Sequence, residues 1–148
     1  MTIYLDYAAT TPLDPKVREV MMHYFDVEFG NAGSRTHEYG LRAKMAVNKA
    51  REQVASVVTA NPAEIIFTSG ATEANNIALL GLEAYGRKCG KRHIVSTAIE
   101  HKAILEPLEV LEKRGFDVTL VMPETNGLVK AENVLSEVRR DTLLVSVM

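Results

Sequence analysis

Phe67-Thr68-Ser69-Gly70-Ala71-Thr72-Glu73-Ala74-Asn75-Asn76 is the stretch from which the chain is best read. Before it stands Glu64-Ile65-Ile66-Phe67, apolar and β-branched; after it a helical pattern to about Arg87 sets Ala74, Ile77, Ala78, Leu82 and Tyr85 on one face. The spacing predicts strand, small-residue turn, helix. The first N–H groups of such a helix have no intrahelical acceptor, and the macrodipole makes that end positive. Gly70 and Ala71 leave room for a ligand, and Ser69 and Thr72 add hydroxyls. A phosphate or carboxylate is the natural occupant. The plainer alternative makes Ser69 an N-cap and Gly70 a turn residue. Neither G-x-G-x-x-G nor the Gly-Lys-Ser/Thr of a P-loop is present.

Downstream, Cys89-Gly90 closes the helix, and His93-Ile94-Val95-Ser96-Thr97 reads as a second strand. Cys89 lies between the cations Lys88 and Lys91, although a helix-end cysteine without a role is the simpler reading. Ala98 to Lys102 lead into a helix that runs to about Arg114. Pro107 is costly in a helix interior, so the turn near His101 is expected to be irregular, with the regular helix starting near Glu106-Pro107. Gly115 is a stop signal. Phe116 to Val121 is a third strand. Lys130 to about Arg140 is a helix with Val134, Leu135 and Val138 inward, and Leu143 to Val147 is a buried strand by its near-continuous apolar run.

Upstream, Met1 to Leu13 looks extended, as an edge strand or an arm lying over another domain. Asp14-Pro15 starts a helix in which Val17, Val20, Met21, Tyr24 and Phe25 follow helical spacing to about Val27. Phe29 to His37 is a polar loop that gathers Asn31, Arg35 and His37. It is either a solvated connection capped at Ser34 or Thr36, or the border of a pocket. A long helix to about Thr59 carries the apolar stripe Ala43, Ala46, Val47, Ala50, Val54, Val57 and Val58, and Asn61-Pro62 ends it.

Strand–helix repeats of this kind define an α/β fold with a mostly parallel sheet. Ligands in such sheets bind beyond the carboxyl ends of the strands. That rule puts the turns at Ser69 to Thr72 and at Thr97 to His101 on one edge, so that His101 faces whatever anion-bearing molecule sits at Gly70 to Thr72. A surface or capping histidine is the alternative.

With 148 residues, 47% of them hydrophobic and 24% charged, the chain is long enough for one domain with a real core. A formal net charge of −2 argues against a nucleic-acid surface held by bulk charge. No apolar run is long enough to span a bilayer. The first residues lack the basic and apolar regions of a secretory signal, and the single cysteine excludes an internal disulfide framework. A cytoplasmic protein is expected.

Taken together, Leu5-Asp6-Tyr7-Ala8-Ala9-Thr10-Thr11-Pro12, Phe29-Gly30-Asn31 with Ser34 and His37, Phe67 to Asn76, and Glu100-His101-Lys102 resemble the N-terminal part of a cysteine desulfurase. The motifs occur in that family's order and spacing, and Asp141 to Met148 fits as well. The resemblance covers the whole chain. It implies a pyridoxal 5′-phosphate (PLP) enzyme of fold type I, class-V aminotransferase family. Residues 1–13 would be the arm of the small domain, and residues 14–148 an incomplete PLP-binding large domain.

By resemblance, Gly70, Ala71 and Thr72 hold the PLP phosphate, and His101 stacks on the ring and assists proton transfer. Asn31, Arg35 and His37 lie near the substrate entrance. Ala32-Gly33 departs from the family's usual Pro-containing pair after Asn31. No metal is implied. The substrate would be L-cysteine, its sulfur passing as an enzyme-bound persulfide to a sulfur-acceptor protein, in a homodimer or with a complementing C-terminal part.

The family's Schiff-base lysine, pyridine-pairing Asp and sulfur-carrying cysteine have no match here, Lys102 and Cys89 included. The chain alone is therefore expected to be inactive, and to be a fragment or one piece of a split protein. In fold type I the strand before the phosphate turn pairs with a late antiparallel strand that is absent here, so Glu64 to Thr68 is expected to lack its neighbour. Two other readings stand beside the enzyme: a non-catalytic module that binds a desulfurase subunit or an acceptor protein, and a generic binder of phosphorylated ligands.

Overall fold

One short strand, β1 (His93–Thr97), is paired on both sides and buried along its whole length. The computed structural model that shows this describes residues 3–148, in two units that meet between Ile66 and Phe67. In the second unit β1 lies between β2 (Asp117–Val121) and β3 (Thr142–Val145), both parallel to it. Parallel neighbours require crossovers, and the sequence supplies them as helices. These are α5 (Lys102–Lys113) between β1 and β2 and α6 (Ala131–Ser136) between β2 and β3; α3 (Ala71–Gly81) and α4 (Glu83–Cys89) lead into β1.

Side chains on a strand alternate between faces. Ile94 packs in a cluster with Leu79 of α3, Leu108 and Leu111 of α5, and Phe116. Val95, on the opposite face, packs with Val121 and Val134 of α6. Helices thus cover both faces of a parallel sheet, as the α/β reading requires.

His93 is fully buried, and its ring holds the three strands together. Nδ1 lies 2.8 Å from the Thr142 hydroxyl and Nε2 3.0 Å from the Thr119 hydroxyl, one from each flanking strand. Thr142 Oγ1 also accepts the Arg139 backbone N–H at 2.7 Å.

Several expected elements differ. Residues 64–68 form no strand; a 3₁₀ turn at Pro62–Glu64, closed by a reciprocal Asn61–Glu64 capping box, is followed by chain outside the sheet, where the Ile65 carbonyl accepts from Arg51 Nε at 3.1 Å. The reason is the anticipated one: no strand lies alongside it among the described residues. Of the expected apolar face, Ile77 of α3 and Tyr85 of α4 stay exposed, and Leu79 of α3 turns inward instead. That helix is apolar on two sides, and contact with α5 selects one of them. Helix α5 begins at Lys102 rather than near Pro107. Pro107 forgoes one backbone hydrogen bond, but it is buried, and the packing of α5 on α3 offsets the loss.

Helix α6 stops at Ser136, four residues early, through i→i−3 bonds from Glu137 to Val134 and from Val138 to Leu135. Only Val134 of its three expected inward residues is buried. Strand β3 is half-buried because it has no second neighbour among the described residues.

The first unit is built from α1 (Pro15–Asp26) and α2 (Glu38–Val58). Asp14 caps α1 through Lys16 N–H at 2.8 Å, ahead of Pro15 at the first helical position. No residue of α1 is buried, and α2 buries only Gly40, Ala43 and Ala55. Much of the predicted stripe is open, with Val57 84% exposed. The two helices flank an apolar groove of about 790 Å³ lined by Val20, Phe25, Ala43, Val47 and Ala50. Residues 3–13 are exposed and contain no strand; a turn brings the Ala9 N–H to the Asp6 carbonyl. Met1 and Thr2 lie outside the described residues.

Two outcomes follow from the sheet and its ion pairs. His93→Leu removes the partner of two hydroxyls and should lower the unfolding free energy by about 1–3 kcal/mol in a denaturant titration. In the second, Arg139 holds the Asp141 carboxyl below its ordinary range, and Arg114 followed by Arg87 does the same for Glu83. Groups with depressed folded pKa values contribute stability that is present above their unfolded pKa and lost as pH falls through the folded value. Melting temperature should therefore fall on acidification below the ordinary carboxylate range, and less steeply in Glu83→Gln.

Candidate functional site

Contacts within the second unit fix the direction of its helices. Gly86 of α4 sits against Leu143, the Lys91 carbonyl and Phe116, all at the amino ends of the three strands. The run from Gly70 through α3 and α4 therefore ends at the amino edge. Helix α5 leaves the carboxyl end of β1 and returns to the start of β2. Leu79 of α3 and Leu111 of α5, both late in their helices, share one cluster. Gly70 and His101, which open these two helices, accordingly lie at the carboxyl edge together.

At that edge α3 presents open donors. Gly70 is its N-cap and supplies no side-chain acceptor, and nothing lies within 4 Å of where a Cβ at Gly70 would stand. The first bond into the helix is from Ala74 N–H to Gly70 O at 3.1 Å. The amides of Ala71 and Thr72 precede it and have no acceptor within the helix. Ala71 and Thr72 are exposed. This donor set fits a phosphate: two or more converging N–H groups at a positive helix end, beside a threonine hydroxyl.

Ser69 does not join this set. Its N–H and its hydroxyl both donate to Glu73 Oε2, at 2.6 and 2.7 Å. These bonds, the backbone one first, hold the Glu73 carboxyl below its ordinary range. The expectation that Ser69 offers its hydroxyl to an anion is corrected on this point: Glu73 fixes the shape of the turn and uses the Ser69 donors to do so. The Ser69-x-x-x-Glu73 spacing is one residue longer than a capping box, which is why pattern reading passes over it.

His101 is exposed and is the N-cap of α5. Its Nδ1 accepts the Ala103 N–H at 3.1 Å. The neutral ring then carries its proton on Nε2, which is left available as a donor. The capping role and the functional role are thus compatible in one side chain.

The loop at 29–37 belongs to the first unit. His37, rather than Ser34 or Thr36, caps α2: its Nδ1 accepts Gly40 N–H at 3.2 Å, and its Nε2 lies 2.9 Å from the Ser34 hydroxyl. Asn31 Oδ1 accepts Gly33 N–H at 2.8 Å, and the Asn31 carbonyl accepts Ser34 N–H at 3.0 Å. Both polar residues are committed to the shape of the loop. Arg35 and His37, with Lys44, line a depression of about 720 Å³. Among the described residues no group of three or more His, Cys, Asp or Glu could hold a metal, and no helix is long and apolar enough to cross a membrane.

Residues 3–148 match the family described as Aminotransferase class-V. The chain belongs to the class-V aminotransferase family. It is 50% identical over its whole length to "Cysteine desulfurase IscS" of Shewanella sediminis, of which it covers 37%. Among solved structures it is similar to DndA from Streptomyces lividans (58% identity, TM-score 0.84, 98% of this chain and 40% of that one). It is also similar to a protein titled "SspA in complex with cysteine" (40% identity, TM-score 0.87, 99% and 42%). The chain thus spans well under half the length of these relatives.

The loop geometry is testable independently of the relatives. A Cβ at Gly40 would stand 2.7 Å from the Ser34 carbonyl oxygen and 2.8 Å from the Ser34 Cβ. Gly40→Ala should push residues 31–34 off the start of α2 and cost about 1–3 kcal/mol. Loss of the His37–Ser34 contact should be visible as a shift of the His37 ring signals in NMR.

Proposed function

We propose that this chain is the phosphate-holding part of a PLP-dependent cysteine desulfurase. The observation that carries the reading is the pair of open amides at Ala71 and Thr72, on the same sheet edge as His101, in a chain half identical to cysteine desulfurases. Gly70 leaves the approach clear; the Ala71 and Thr72 amides and the Thr72 hydroxyl would hold the phosphate, and His101 would take the side of the cofactor ring. When bound, PLP supplies an electron-withdrawing ring that weakens bonds at the carbon next to the substrate nitrogen. His101 Nε2 is the atom able to hold or pass a proton there, and imidazole titrates in the range suited to that task.

The substrate in this reading is L-cysteine, supported by a relative whose title includes that amino acid. Asn31, Arg35 and His37 border its entrance, with Arg35 the cation in the depression beside His37. The sulfur acceptor is a protein. The working form is a homodimer or a complex with a complementing C-terminal part, in the cytoplasm. Residues 1–13 act as an arm and residues 14–148 as part of the PLP-binding domain. Cys89, exposed at the end of α4 with Sγ 3.7 Å from the Gly86 carbonyl, has no part in sulfur transfer.

The open apolar faces of α1 and α2 favour a second reading, a non-catalytic module that binds another polypeptide. One experiment separates the two. The chain is mixed with PLP, a thiol reductant and a polypeptide supplying the rest of a desulfurase, and L-cysteine-dependent sulfide release is measured. The enzyme reading expects release, reduced at least tenfold by His101→Ala, and weaker PLP retention in Thr72→Val. Association without any sulfide release favours the module.

A further inference from the structure

Glu100 stands out from every other carboxylate of the chain. It is the buried one among the described residues, 9% exposed, and no cation pairs with it there. A buried carboxylate without a countercharge is costly unless donors surround it. Two are present on one oxygen: Oε1 accepts the backbone N–H of Met148 at 2.6 Å and the Thr97 hydroxyl at 3.3 Å. The Glu100 N–H in turn reaches the Thr97 carbonyl at 3.4 Å.

These bonds complete a seam. Ser146 N–H donates to the Val95 carbonyl at 2.9 Å, and the Ser96 hydroxyl donates to the Ser146 carbonyl at 2.9 Å. The chain beyond β3 is thereby laid along β1 residue by residue, and Glu100 makes the last tie, immediately before His101. A short bond from an amide to an ionised oxygen is of the stronger kind. Remove the acceptor and two segments of the carboxyl edge are released together: the turn that carries His101 and the backbone at residue 148.

We infer that Glu100 is a positioning residue for this edge. It acts through His101 and the Met148 backbone and touches no ligand itself. Its functional meaning rests on the reading of the edge as a PLP site, whereas the tie itself does not.

The test compares the chain with Glu100→Gln and Glu100→Ala. NMR follows the Met148 amide and the His101 ring nitrogens well below the melting temperature, and titrations follow inorganic phosphate and PLP separately. Gln retains an acceptor oxygen and should keep both NMR signals near their original positions. Ala should shift both signals and weaken PLP about tenfold, the equivalent of about 1.4 kcal/mol, while phosphate binding at Ala71 and Thr72 is unchanged. A purely structural role would lower the melting temperature and leave the His101 ring unmoved, and that result overturns the inference. Should the Ala variant not fold, a Gln variant that loses the Met148 signature also overturns it. If the unaltered chain binds no PLP while Ala still moves both signals, the positioning role stands and the cofactor reading fails.

Discussion

Parallel pairing on both sides of β1 is the constraint from which the arrangement of the second unit follows. A strand with two parallel neighbours forces the chain to travel back across the sheet before each return. Every crossover helix therefore opens at the same edge. Helix α5 obeys this rule, and α3, which runs toward the amino edge ahead of β1, opens on the same side of the sheet. The His93 clip to Thr119 and Thr142 secures the amino end of the sheet, and the Glu100 tie to Met148 secures the carboxyl end. Between them the open end of α3 and the cap of α5 at His101 share one edge.

Local chemistry at this edge commits some donors to structure and leaves others open. Ser69 gives both of its donors to Glu73 and so sets the turn. Ala71 and Thr72 keep theirs. His101 uses one ring nitrogen to cap α5 and leaves the other available. His37 behaves differently in the first unit: its Nδ1 caps α2 and its Nε2 is occupied by Ser34. Of the two histidines singled out from sequence, only His101 retains an uncommitted nitrogen.

Elements whose signals are local were legible in the sequence. Asp14-Pro15, Gly90 and the run His93 to Thr97 gave their boundaries to within a residue or two, because caps and β-branched runs act on their own neighbourhood. The place of His101 just past β1 was legible from topology, since the rule about strand ends needs only the order of elements; for Gly70 to Thr72 that rule counted on a strand at 64–68 that does not form. What failed needed tertiary information. Residues 64–68 have strand composition but no neighbour to pair with. Leu79 and not Ile77 faces inward because α5 lies on that side. Pro107 is tolerated within α5 because burial offsets one missing hydrogen bond. Glu100 was noticed only as part of a motif, since its partner Met148 is 48 residues away.

The central claim is that the open end of α3 holds the phosphate of a ligand whose ring reaches His101. Backbone amide shift mapping during titration with PLP, with inorganic phosphate alongside, tests it most directly. The account predicts that both ligands move the Ala71 and Thr72 amides, and that PLP alone also moves the His101 ring. Shifts confined to other residues, or none at Ala71 and Thr72 with either ligand, would contradict it.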